Sequence, residues 1–198
     1  MTRRPWWRAA AACSVLLGLV ACHTLATLPI TPWPERRATL QAIDHFGFNG
    51  QLAAATVTQG FSASLRWQQQ GVASDLLLRA PLGVGGARLN YDGTTLHVIA
   101  SDGSALEGAA AQTELVRLLG FEPPLTSLRY WLLGAPDPAL SATETVDATQ
   151  RLLQLQQGEW LVEYGEYLRS AGQWLPRRIF VHRGALKLKL HISQWQLS

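Results

Sequence analysis

A chain of 198 residues, 47% of them hydrophobic, is long enough for one domain with a substantial core, and 17 Lys/Arg against 14 Asp/Glu give a formal charge of only +3. Three of the basic residues, Arg3, Arg4 and Arg8, lie at the very start, so the rest of the chain is balanced at fourteen against fourteen and has no electrostatic footprint for nucleic acid. Both cysteines, Cys13 and Cys22, are also near the start, which leaves the body of the chain to be held by packing without a disulfide.

The three arginines precede an uncharged segment from Ala9 to Ala21, the layout of a secretory signal peptide. A membrane-spanning helix needs about 20 apolar residues, and this run is shorter. Leu19-Val20-Ala21-Cys22 resembles the lipobox of bacterial lipoproteins, in which Cys22 is lipidated and becomes the first mature residue. On that reading residues 1–21 are a cleaved signal peptide, 22–34 a lipid-anchored tether containing Pro29, Pro32 and Pro34, and 35–198 the folded domain. His23 stands where an aspartate would signal retention in the inner membrane, so the address is the outer membrane, on its periplasmic face.

Pro34 and Glu35 suit a helix N-terminus, and Leu40, Ile43 and Phe46 give an apolar face over 36–46. Strand patterns follow at 48–57 and 61–67, where Phe61, Ala63, Leu65 and Trp67 alternate with polar residues, and at 75–80. Pro81-Leu82-Gly83-Val84-Gly85-Gly86 reads as a flexible loop. Strands at 87–91 and 94–100 are joined at Asp92-Gly93, a strong hairpin signal, and Asp102-Gly103 is a second such turn. Thr113 is placed to cap a helix ending at Gly120, and Leu125, Leu128 and Leu132 mark a second one ending at Gly134. The stretch 135–148, with Pro136 and Pro138, reads as irregular. Strands resume at 151–156, 160–168 and 177–183. In the last strand Leu186, Leu188, Leu190 and Ile192 face one way, and Trp195 and Leu197 break that register, implying a bulge or a covering helix. The sum is a mainly antiparallel β fold with short helices (α+β): a curved, incomplete barrel with helices plugging its concave side.

Little in the chain supports catalysis. His23, His45, His97, His182 and His191 are scattered without metal-ligand spacing, no elbow-type serine occurs, and Glu159, Glu163 and Glu166 alternate with apolar residues as a solvated strand face would. The glycine-rich loop precedes a strand rather than a helix, so it makes no phosphate site. No cofactor, no metal and no enzymatic activity are expected. The aromatic supply is unusual: Trp33, Trp67, Trp131, Trp160, Trp174 and Trp195, with Tyr91, Tyr130, Tyr164 and Phe180, either fill the core or line a cavity for an apolar ligand. Leu82 either tucks beneath its own loop or projects toward a bilayer.

Three blocks carry a family likeness: Phe61-Ser62-Ala63-Ser64-Leu65-Arg66-Trp67, Pro81-Leu82-Gly83, and Leu128-Arg129-Tyr130-Trp131-Leu132-Leu133-Gly134. With the basic-alternating strand ending in Trp195, they resemble the LolA/LolB lipoprotein-localisation family, on its outer-membrane receptor side. The resemblance implies a curved antiparallel half-barrel closed over by helices, with a hydrophobic cavity for acyl chains. It implies a monomeric receptor that takes cargo lipoproteins from a LolA-like periplasmic carrier and inserts them into the outer membrane, where its own N-terminal lipid holds it. Leu82 matches the leucine that serves membrane transfer on a protruding loop. Combined with the alternation, the resemblance places Phe61, Leu65, Trp67, Leu76, Leu78, Trp131, Tyr164, Leu188 and Leu190 on the cavity face. The competing reading is a structural or assembly lipoprotein that docks a protein partner through an aromatic face.

Overall fold

The structure, a computed structural model, describes residues 30–81 and 85–197. In chain order its elements are α1 (Trp33–Gln41), β1 (His45–Ala55), β2 (Gly60–Gln70), β3 (Ala73–Arg79), β4 (Gly86–Tyr91), β5 (Leu96–Ala100) and β6 (Ala105–Glu107). Then come α2 (Gly108–Leu119), α3 (Leu125–Leu133), β7 (Thr143–Val146), β8 (Leu152–Gln157), β9 (Trp160–Tyr164), β10 (Tyr167–Ser170), β11 (Gln173–Pro176), β12 (Arg178–Arg183) and β13 (Leu186–Leu197). Eleven strands form one antiparallel sheet in the order β6-β5-β4-β3-β2-β1-β13-β12-β9-β8-β7, while β10 and β11 make a separate hairpin. The end strands β6 and β7 do not pair with each other, so the sheet is open and curved, as the incomplete-barrel expectation has it.

Alternation decides which face is inward. Along β2, Ala63, Leu65 and Trp67 are buried while Ser62 and Arg66 are exposed. On β13 the parity change comes from a bulge. Asn49 pairs with Gln194 and Gly50 with Ile192, so Ser193 is an extra residue, its hydroxyl donating to the Asn49 carbonyl at 2.9 Å. Trp195 is thereby turned inward, where it meets Phe48 at 5.2 Å and Phe46 at 5.8 Å between ring centroids, and Phe48 stacks on Trp67. Gly50 is needed at this point, since a Cβ there would lie 2.6 Å from the His191 carbonyl oxygen.

Several elements differ from the sequence expectation. α1 starts at Trp33, within the stretch assigned to the tether, and ends at Gln41; Phe46 belongs to β1. α2 starts at Gly108, and Thr113 is an interior residue whose hydroxyl donates to the Ala109 carbonyl at 2.9 Å, so it is not the cap. Ala109-Ala110-Ala111 favours helix strongly yet has no apolar periodicity to announce it. The stretch 135–148 contains β7, and the run 160–168 divides into β9 and β10 around Gly165-Glu166. Gly120 and Gly134 end their helices as expected: both take left-handed backbone angles, φ 79° and 78°.

α1 is fixed to the edge strand β7. The Trp33 indole N–H donates to Glu144, Arg37 Nη1 meets Glu144 Oε1 at 2.9 Å, and Gln41 Nε2 donates to the Pro136 carbonyl at 2.9 Å. At the predicted Asp92-Gly93 hairpin, Asp92 Oδ1 accepts from Thr95 N–H, Thr94 N–H and Thr94 Oγ1, each at 2.8 Å. Those bonds favour the carboxylate and hold its pKa down to about 2. A depressed acid pKa contributes stability above the unfolded value of about 3.9 and loses it as pH falls through the folded value. A carboxyl-detected NMR titration should therefore show Asp92 still ionised at pH 3, and the turn loosening only between about pH 4 and pH 2.

Candidate functional site

The concave face of the sheet encloses a hollow of about 90 Å³. The register explains its wall. Trp67, Leu76 and Leu89 are directly opposed across β2, β3 and β4, and Leu65 opposes Leu78 one row away. On the other side of β1, Leu52, Leu190 and Ile179 form a second row, and Leu188 opposes Val181 in a third. All line the hollow. Its roof is Leu115 and Leu119 of α2, Phe121, Pro123 and Pro124 of the connection, and Leu125, Leu128, Trp131 and Leu132 of α3, with Trp160 at the β9 side. Every lining side chain is apolar or aromatic.

The two roof helices are held very differently. Gln157, 1% exposed, accepts from Trp131 Nε1 at 2.7 Å and Asp137 N–H at 2.9 Å, and donates to the carbonyls of Asp137 and Leu140 at 3.0 and 3.2 Å. Tyr164 donates its hydroxyl to the Trp131 carbonyl at 3.0 Å, and Ser127 donates to Asp137 Oδ2 at 2.7 Å. Burial, with Tyr167 adding to it, pushes the Tyr164 phenol well above its ordinary pKa, so it stays a neutral donor. Arg129 Nη1 adds a bond to the Gly71 carbonyl at 2.8 Å. α3 is therefore fastened to β8, β9 and the β2–β3 turn. α2 has no such fastening: among the described residues its side-chain hydrogen bonds reach only its own turns, at Thr113 and Arg117–Glu114, and Glu122 of the following connection. Apolar contact through Ala111, Leu115 and Leu119 holds it down.

Of the nine residues expected on the cavity face, Leu65, Trp67, Leu76, Leu78, Trp131, Leu188 and Leu190 line this hollow. Phe61 does not. β3 ends at Arg79 opposite Ser64, so Phe61 overhangs the end of its neighbour and packs half-buried at the rim. Tyr164 does not either. It lies in the row of Ile179, on the inward side, but its ring and hydroxyl serve as a prop beneath α3. Leu89, Ile179, Val181, Leu115, Leu119 and Phe121 line the hollow without having been singled out. The first three were legible by the same alternation, and Leu115 and Leu119 by their i, i+4 spacing. Cys22 and Leu82 lie outside the described residues.

The fold sets the class first. A LolA superfamily protein from Nitrosomonas europaea matches with TM-score 0.55 over 85% of this chain and 94% of that one, at 11% identity. A DUF1329 family protein from Desulfovibrio piger matches with TM-score 0.57 over 82% and 89%, at 10% identity. At such identities the likeness defines a fold, the LolA-like open half-barrel. Sequence gives the particular family. The profile described as outer membrane lipoprotein LolB matches residues 44–195. The outer-membrane lipoprotein LolB of Nitrosococcus oceani is 34% identical over 97% of this chain and 98% of its own, and that of Azoarcus sp. is 32% identical over 96% and 95%. The chain belongs to the outer membrane lipoprotein LolB family. It is an outer-membrane lipoprotein receptor in lipoprotein localisation, facing the periplasm.

Proposed function

We propose that the hollow takes the acyl chains of lipoproteins handed over by a LolA-like carrier, and that the protein then inserts them into the outer membrane as a monomer without enzymatic chemistry. The carrying observation is a wall made wholly of apolar side chains beneath a helix that, among the described residues, no side-chain hydrogen bond ties to the sheet. An acyl chain in water costs about 0.8 kcal/mol per CH₂, so a chain of ordinary length costs on the order of 10 kcal/mol and must stay covered. The hollow as it stands, about 90 Å³, is smaller than the roughly 150 Å³ that holds a benzene ring. Cargo therefore requires the roof to lift. α2 is the element that lifts, because its release breaks apolar contacts that the incoming chain restores. α3 stays, because freeing it would strand the Trp131 indole N–H and carbonyl and the Gly71 carbonyl.

With no nucleotide to drive transfer, the route must run downhill, from carrier to receptor to bilayer, by differential affinity. A lipid on Cys22 keeps the receptor at high effective concentration beside its target. Leu82 dips into the bilayer at the transfer step. The docking alternative is weakened because Trp33, Trp67, Trp131 and Trp195 are buried, and Trp174 alone among the described tryptophans is exposed, too little for an aromatic face.

The test has two parts. Mass spectrometry of the full chain extracted with cargo lipoprotein should find acylated cargo bound; a protein partner without lipid would overturn the reading. In Leu82→Glu, cargo binding should persist while release into liposomes falls about tenfold or more, the worth of one buried leucine; release at the parental rate would remove Leu82 from the mechanism.

A further inference from the structure

We propose that the β1–β2 turn, residues 56–59 with Val57 at its tip, is a bilayer-contact edge that seats on an anionic lipid surface during delivery. This rests on the delivery reading above. The strand pairings bring the β1–β2, β5–β6, β8–β9 and β12–β13 turns, and the β3–β4 connection, to one rim of the sheet. The β2–β3 and β4–β5 turns, the β7–β8 turn and the end of α1 come to the other rim.

Val57 is 83% exposed, more than any other large apolar side chain among the described residues. A single exposed valine is ordinary. Its surroundings are not. Ala55 pairs with Lys187, which puts that lysine at the base of the turn, and Arg183 ends β12 on the same rim, while Arg79 ends β3 lower down, opposite Ser64. None of the three has an ion-pair partner among the described residues, although Arg183 lies 4.3 Å over the Trp160 ring. The carboxylates of the turns on this rim, Asp102 and Glu159, belong to turns that begin three strands away on either side, and Glu122, two residues beyond Gly120, is engaged by Gln112 of α2. The opposite rim carries Asp44, Asp92 and Asp147. An apolar tip with an unpaired lysine at its base and an unpaired arginine farther along the same rim, its acids in other turns or engaged by a neighbour, matches a headgroup layer of negative potential. A carrier passing on an acyl chain has to meet the hollow, whereas the tip points along the strands.

The turn also touches the roof. Thr56 and Gln59 pack against Gly120, the residue that ends α2, so closely that a Cβ there would collide with Gln59. Phe121, next in the chain, lines the hollow. Phe61 sits half-buried one row in from the turn on the concave side. Pressing this edge against lipid therefore brings the bilayer to the end of the helix that has to lift.

The test uses the full chain in proteoliposomes of phosphatidylethanolamine with or without phosphatidylglycerol, and a carrier loaded with lipoprotein. Hand-over from carrier to receptor is measured separately in detergent micelles. Val57→Glu should slow delivery to the bilayer about tenfold, the worth of a buried valine, and leave hand-over unchanged. Val72→Glu, at an exposed valine on the opposite rim, should change neither. Parental delivery should fall when phosphatidylglycerol is omitted and when salt is raised. Delivery by Val57→Glu at the parental rate, equal slowing by Val72→Glu, or lost hand-over in micelles would each overturn the proposal. A parent that accepts no cargo would remove the delivery reading itself.

Discussion

Gln157→Leu should destabilise the fold by about 4 kcal/mol, lowering the unfolding midpoint by roughly 10 °C in a domain of this size. The volume is nearly conserved and the site is 1% exposed, so the loss is almost purely polar. Four hydrogen bonds converge on this one amide. Removing it strands the Trp131 indole N–H, the Asp137 N–H and two carbonyls, each worth about 1–3 kcal/mol when left buried and unpaired, with partial relief as the loop shifts. Gln157→Glu should also destabilise, since the carboxylate keeps the acceptor role but loses both donors and buries a charge. Urea denaturation of both variants provides the measurement. A Gln157→Leu cost below about 1 kcal/mol would show that Gln157 does not fasten α3. The contrast between α3 and α2 would then rest only on the bonds of Tyr164, Ser127 and Arg129.

The polar fastening of α3 is the part of the site that the sequence hides. Gln157 sits between Gln156 and Gly158 in a glutamine-rich strand that reads as solvated, and nothing local says that its side chain turns under a tryptophan some 26 residues earlier. Alternation was more informative wherever a strand has one wet face. Leu65, Trp67, Leu76, Leu78, Leu188 and Leu190 line the hollow because a period of two permits only two choices of face, and charge on Arg66 and Lys189 decides between them. Tyr164 and Phe61 have the inward parity yet miss the hollow, because parity gives a face and not a position along it. That position depends on where β3 stops and where α3 lies, both long-range matters. β7 is not legible for a related reason: Pro136 and Pro138 mark a loop correctly, but the four residues that add to the edge at β8 carry no strong pattern of their own. The break at Trp195 was legible as a break, and the bulge at Ser193 accounts for it.

Leu188→Trp should abolish most cargo acceptance while leaving the fold intact. Leu188 is half-buried on β13, beside Ala54 on β1 and Val181 on β12, and it lines the hollow. An indole there has the small Ala54 as neighbour and the hollow ahead, so overpacking should cost about 1 kcal/mol, the low end of its usual range. It would occupy the space of about four methylenes, and at 0.8 kcal/mol each that is a loss of about 3 kcal/mol, on the order of a hundredfold in affinity for the acyl chain. Phe61→Trp is the matched control, because it adds an indole on the same face but off the hollow; its acceptance should equal the parent's. Carrier-to-receptor transfer, read beside a thermal melt, separates capacity from stability. If both variants accept cargo normally, acyl chains do not enter between the sheet and α2. If both fail alike, the rim at Phe61 forms part of the entry path. The two steps then come apart by residue: Leu188→Trp blocks acceptance before any bilayer is present, whereas Val57→Glu accepts cargo and fails to deliver it. A protein that merely docked a partner through its surface would show neither half of that pattern.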